Sequence, residues 1–173
     1  MKESRVEVIR KGAFLLQAGD VCKNAFFTEK GLLRAFTVDE TGKEHIIQFA
    51  PENWLISDRS SIYFNEPSDL FIEAIENSTV VFINTDFLDK ISALSQKFQH
   101  SNERALQIHI RQLQQRINQL LGASAEERYL TFIQKYPDLL LRVPLWMIAS
   151  YLGITPESLS RVRKDLAKRN FTP

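Results

Sequence analysis

A chain of 173 residues fits one large domain or two small ones, and 44% hydrophobic with 25% charged residues fits a globular protein that buries a core. No stretch approaches the ~20 apolar residues of a membrane span, and the polar opening MKESRVEVIRK is not a signal peptide. The one cysteine, Cys22, excludes an internal disulfide, a cysteine-cage metal site and a four-cysteine iron–sulfur cluster within one chain, so a reducing cytoplasm is the expected compartment. The net charge of +1 hides an asymmetry. Residues 1–100 carry 11 Lys/Arg against 15 Asp/Glu, whereas residues 101–173 carry 11 against 6. A basic back half points to a polyanionic partner.

In chain order, the first ~95 residues read as β-rich. Short apolar runs (AFLL, NAFFTEKGLLRAFTVDETGKEHIIQFA, LFIEAIENSTVVFI) alternate with turn signals. Gly12, Gly19, Gly31 and Gly42 fall beside these runs, where a turn needs positive φ. Glu40-Thr41-Gly42 joins two of the strands as a hairpin. Short, closely spaced strands fit a barrel or roll. Phe36, Phe49 and Trp54 are expected in its core rather than around a pocket.

Near Thr85 the period changes. Thr85 or Asp86 is expected to cap a short helix, DFLDKISALSQKF. A long helix follows from Ser101 to Leu121. Leu106, Ile110, Leu113, Ile117 and Leu120 recur at spacings of 4, 3, 4 and 3 residues, an a/d seam among Gln, Arg, His and Asn. Packing of this stripe on its own chain is the plainer alternative. The strict heptad period favours a two-stranded coiled coil, hence a homodimer. Gly122 ends the helix. Ser124 with Glu127 forms a capping box for SAEERYLTFIQKYP, which directs Tyr129, Leu130, Phe132 and Ile133 inward and stops before Pro137.

The segment VPLWMIASYLGITPESLSRVRKDLAKRN carries the most specific pattern. Trp146 to Leu152 reads as a short helix with Ile148 and Ala149 inward. Gly153 sits where a left-handed residue links two helices. Thr155 caps the second helix and Pro156 takes its first position. Leu159, Val162 and Leu166 form the inward stripe, and Glu157, Arg161, Lys164 and Lys168 share the opposite face. This is a helix-turn-helix with a recognition helix. An enzyme or metal protein on a cupin-like roll fails on inventory. His45 is the only histidine of the β region, and no phosphate loop or nucleophile motif is present. No catalytic residue, metal site or cofactor is therefore expected.

The whole chain resembles the Crp/Fnr family of bacterial transcription regulators, especially members from Bacteroidetes-type bacteria. RKGAFLLQAGD and FFTEKGLLRAFTVDETGKEHIIQFAPENW are similar to its cyclic-nucleotide-binding-like β-roll, and SAEERYLTFIQKYPDLLLRVPLWMIASYLGITPESLSRVRKDL to its DNA-binding end. The resemblance implies an α+β protein: a jelly-roll-like β-roll sensor domain over 1–98, a dimerisation helix over 99–122 and a helix-turn-helix domain over 123–173. It implies a symmetric dimer on palindromic double-stranded DNA, with RNA polymerase as a further partner and no membrane association.

Departures from the family pattern bear on ligand and DNA. The phosphate cassette of cyclic-AMP-binding members aligns with a degenerate stretch, Ser57-Asp58 and Ser68-Asp69, where the phosphate-pairing arginine is missing and carboxylates stand nearby. Cyclic AMP is not expected to bind, Arg59 is not spaced to replace that arginine, and the effector is another ligand or none. His45, His100 and His109 are not expected to hold haem. The chain ends just past the recognition helix, so the family's β-hairpin wing is expected to be absent and its N-terminal helix short or missing. Pro156 stands where cyclic-AMP-type members carry a base-reading arginine. Glu157, Ser160 and Arg161 then remain as base readers in an Fnr-like arrangement, with Thr155, Ser158, Lys164 and Lys168 on phosphates. Their presence argues against the rival reading, a ligand-sensor or protein-interaction module whose helix-turn-helix has decayed.

Overall fold

The computed structural model describes residues 4–170. The chain divides between Glu103 and Arg104 into two compact units. The first holds eight strands and two short helices: β1 (Ser4–Ile9), β2 (Phe14–Leu16), β3 (Asn24–Lys30), β4 (Leu33–Val38), β5 (Glu44–Ala50), β6 (Leu55–Ile56), α1 (Arg59–Phe64), β7 (Phe71–Ala74), β8 (Ser78–Asn84) and α2 (Thr85–Leu94). They form two four-stranded antiparallel sheets, ordered β1-β8-β3-β6 and β2-β7-β4-β5. Each sheet turns an apolar face inward. Phe26, Ile56, Val80 and Phe82 from one meet Leu16, Leu33, Ile72 and Ala74 from the other, and the Phe26 and Phe82 rings pack edge to face with centroids 5.2 Å apart. Phe36 and Phe49 are buried, and Trp54 packs against this core. This is the expected β-roll.

Two features escape the alternation rule. The β4–β5 register slips between Ala35 and Phe36, so four consecutive residues, Leu33 to Phe36, are buried. Arg34 among them is satisfied by Glu73 on β7 (Nε to Oε2, 2.8 Å) and Glu44 on β5 (Nη1 to Oε2, 2.5 Å). The run LFIEAIENSTVVFI is two strands, broken at residues 75–77.

The expected helix boundary near residue 85 is corrected. Asn84, not Thr85 or Asp86, is the N-cap of α2, its Oδ1 accepting from the Asp86 amide at 2.8 Å. That helix stops at Leu94 because Ser95 is extended, and the Ser95 Oγ accepts from the Phe98 amide at 3.3 Å. The long helix α3 accordingly spans Gln96–Gly122, beginning five residues before Ser101. β1 and α1 fall outside the runs read from the sequence.

The second unit contains the rest of α3 with α4 (Ala125–Lys135), α5 (Leu139–Arg142), α6 (Leu145–Leu152) and α7 (Pro156–Asn170). The Ser124–Glu127 capping box is formed in both directions. Tyr129 and Phe132 of α4 are buried, with Leu139, Ile148, Ala149, Leu152 and Leu159. Leu130, expected inward, is instead 37% exposed, and Tyr136 at the helix end is buried in its stead. No described residue of α3 is buried, and the seam residues Leu106, Ile110, Leu113, Ile117 and Leu120 are 37–54% exposed. The expected absence of a wing concerns residues 171–173, which lie outside the described residues. No described helix is long and apolar enough to cross a membrane.

Gly31, between β3 and β4, has φ +96°, and a Cβ there would sit 2.7 Å from the Ser78 Cα. Both the left-handed backbone and the close approach require glycine. Gly31→Ala should therefore cost about 1–3 kcal/mol of stability. Urea unfolding checks this, and an unchanged midpoint would contradict the packing of this turn.

Candidate nucleic-acid interface

A helix leaves its last four carbonyls without partners in its own ladder. In α6 each of the four is taken up. The Ile154 amide bonds the Ala149 carbonyl and the Gly153 amide the Ser150 carbonyl, both at 3.0 Å, with Gly153 left-handed at φ 66° and ψ 36°. This pair of bonds is the Schellman arrangement. The remaining two carbonyls receive arginines. Arg116 of α3 donates from Nη2 to the Tyr151 carbonyl at 2.9 Å, and Arg128 of α4 donates from Nη1 to the Leu152 carbonyl at 2.7 Å. The Arg116 guanidinium also lies 3.8 Å from the Tyr151 ring centroid. Cations suit this end of the helix dipole. Neither arginine was singled out in the sequence, since both belong to helices whose apolar stripes drew the reading.

The turn then leads into α7, whose N-terminus is equally complete. Pro156 has no amide to satisfy. The Thr155 Oγ1 accepts from the Ser158 amide at 3.2 Å, as expected of a cap. Glu157 accepts from its own amide and from the Thr155 hydroxyl, which together hold its carboxyl below the usual glutamate value. Leu159 is fully buried, while Val162 and Leu166 are half-buried on the same stripe.

The predicted readers Glu157, Ser160 and Arg161 are all exposed and lie within the first turn and a half of α7. Lys164 and Lys168 are exposed further along the helix. Of the proposed phosphate contacts, Ser158 is half-buried and bonded to Thr155, so both residues are occupied as cap. Arg169 near the end of α7 pairs with Glu126 at the start of α4 (Nη1 to Oε1, 2.7 Å), bracing α7 at its far end.

In the first unit the stretch expected to align with the phosphate cassette holds a hydrogen-bonded centre. Asp58 is buried. Its Oδ2 accepts from the Ser68 hydroxyl at 2.6 Å, and its Oδ1 accepts from the Ser61 amide at 3.1 Å as the cap of α1. The Ser61 hydroxyl, unnoticed in the sequence, accepts from the Cys22 amide at 2.8 Å and donates to the Glu66 carbonyl at 2.6 Å. Of the four cassette residues, Asp58 and Ser68 are thus brought together, Ser57 is half-buried beside them in sequence, and Asp69 is exposed. Arg59 is exposed as well. Cys22 is buried, and burial pushes its thiol above the usual range. His45 pairs with Asp39 in the β4–β5 turn at 2.7 Å, and His100 lies 3.8 Å from Glu103.

Residues 6–94 match the family described as the cyclic nucleotide-binding domain. Over 95% of its length the chain is 30% identical to an anaerobic regulatory protein of Pasteurella multocida (strain Pm70), covering 63% of that protein. Over 96% of its length it is 29% identical to the fumarate and nitrate reduction regulatory protein of Yersinia pestis, covering 70% of it. The chain thus spans a little under two thirds of the first of these relatives. Among solved structures, FixK2 from Bradyrhizobium japonicum aligns with a TM-score of 0.82 at 19% identity, over 96% of this chain and 86% of that one. A CooA mutant from Carboxydothermus hydrogenoformans aligns with a TM-score of 0.74 at 20% identity, over 97% and 78%. At such identities the structural likeness speaks for the fold.

Proposed function

The chain belongs to the Crp/Fnr family, and from that premise we propose that it is a cytoplasmic, homodimeric transcription regulator that binds palindromic DNA through α7 and takes no cyclic nucleotide. The observation that carries this reading is the start of α7. Its Ser158 and Leu159 amides are bonded to Thr155, it is anchored behind by the arginine-held end of α6, and Glu157, Ser160 and Arg161 are all exposed. Glutamate accepts from a cytosine amino group, and arginine takes guanine O6 and N7 as a bidentate pair. Half-sites of the TTGA kind, about one helical turn apart, suit this set. The seam of α3 supports the dimer, since five large apolar residues at heptad spacing stay more than a third exposed in the single chain. Asp58 bonded to Ser68 supports the loss of cyclic nucleotide binding, because a cyclic phosphate would meet a carboxyl where it needs a cation. Regulation then acts through another effector or none, and on RNA polymerase as partner.

Genomic fragments in a gel-shift should be retained by the protein; retention of none would favour an interaction module over a DNA reader. Arg161→Ala should weaken operator binding by about 1–3 kcal/mol and relax preference at one guanine per half-site, whereas Lys168→Ala should weaken all sequences alike and flatten the salt dependence. Selection from random DNA reads both outcomes. Enriched sites without a guanine that depends on Arg161 would contradict this assignment.

Replacing Leu113 and Ile117 together by Glu should yield monomers in light scattering and abolish operator binding, since it puts four charges into the seam. A surviving dimer would place the interface elsewhere. Calorimetry with millimolar cyclic AMP should give no saturable heat; a micromolar dissociation constant would show that another cation, Arg59 being nearest in sequence, has moved onto the phosphate.

A further inference from the structure

We propose that a cleft of about 270 Å³ in the C-terminal unit, walled by α3, α4 and α6, binds a small phosphoryl-bearing anion. Three cations, Arg116, Arg128 and Lys135, line it, and no Asp or Glu does. The wall adds neutral amides from Gln112, Gln115 and Gln119 on successive turns of α3.

The Arg128 side chain gives the second observation. Its Nη1 is committed to the Leu152 carbonyl, but its Nε is buried and has no hydrogen-bond partner among the described residues. A buried N–H without an acceptor keeps its full desolvation cost, and native structures rarely leave one so. An oxyanion in the cleft would supply the acceptor. Arg116 and Arg128 are already fixed by backbone carbonyls, so two planar forks are held in place before any ligand arrives. Fixed forks with a third cation favour a phosphoryl group, with its two negative charges and several acceptor oxygens, over a single carboxylate. The volume of about 270 Å³ lies just below the usual range for small-molecule sites, about 300–1,000 Å³, which suits pyrophosphate or a small phosphorylated metabolite better than a dinucleotide. Because the same arginines hold the last carbonyls of α6, an anion bound here would tighten the turn that leads into α7. The site is independent of the closed cassette in the β-roll and does not presuppose DNA binding.

The test uses the full-length ¹⁵N-labelled protein titrated with pyrophosphate, with ionic strength held constant by sodium chloride. Arginine Nε–Hε signals and calorimetry are followed together. Saturable binding should move the Arg128 Nε–Hε signal, and Lys135→Gln should weaken the affinity about tenfold while leaving the melting temperature of the free protein unchanged. Arg128→Lys should weaken it similarly by removing the fork; should that variant unfold, Lys135→Gln still decides. The proposal is overturned by any of three results: an unmoved Arg128 signal at millimolar pyrophosphate, equal affinity in Lys135→Gln, or a signal that moves only when duplex DNA is added, which would give the cleft to backbone phosphates.

Discussion

The last turn of α6 ends in carbonyls that point out of their own ladder, and the geometry of the C-terminal unit depends on how they are met. Two are closed by the Gly153 turn and two by arginines from different helices. Hydrogen bonds to charged donors contribute about 1.5–3 kcal/mol each, more than neutral ones, before solvent screening reduces them at partly exposed groups. Arg116 and Arg128 therefore tie α3 and α4 to the point where the chain reverses into α7. Gly153 could not be replaced cheaply, because a Cβ there would come within 3.0 Å of the Leu120 Cδ2 and 3.4 Å of the Arg128 Nη1, besides the strain of φ 66°. The position of α7 follows from a glycine and two guanidiniums as much as from the apolar stripe beneath it.

A comparable closure organises the loop before β7. One buried carboxyl, Asp58, caps α1 and accepts from Ser68, while Ser61 bonds outward to Cys22 and Glu66. Side chains that would be orphaned in an open cradle satisfy one another here. Breaking such a network leaves its remaining members buried and unpaired.

What the sequence made legible was local. The Ser124–Glu127 box, the Thr155 cap with Pro156 after it, the Gly153 turn and the heptad seam each rest on residues within one or two turns of one another, and each is where its spacing put it. What it hid was non-local. Arg116 reaches across 35 residues to Tyr151 and Arg128 across 24 to Leu152, and no period marks them. The bulge at Ala35–Phe36 accompanies the burial of Arg34 against a rule of alternation, and its pairing with Glu44 and with Glu73, 39 residues away, makes that burial tolerable. Leu130 misled because apolar character was taken as inward direction, whereas scattered apolar residues at a surface are ordinary.

Glu157 joins the local and the functional. In the free protein its carboxyl is held by its own amide and the Thr155 hydroxyl, at the positive end of α7. A carboxylate offers about four acceptor positions on two oxygens, so serving the helix end does not exhaust it. In the proposed DNA complex a remaining acceptor position would receive a cytosine amino proton. Arg161, exposed one turn further on, would give up side-chain freedom to reach a guanine. On that reading the arginine would repay its lost freedom through the strength of a bidentate pair.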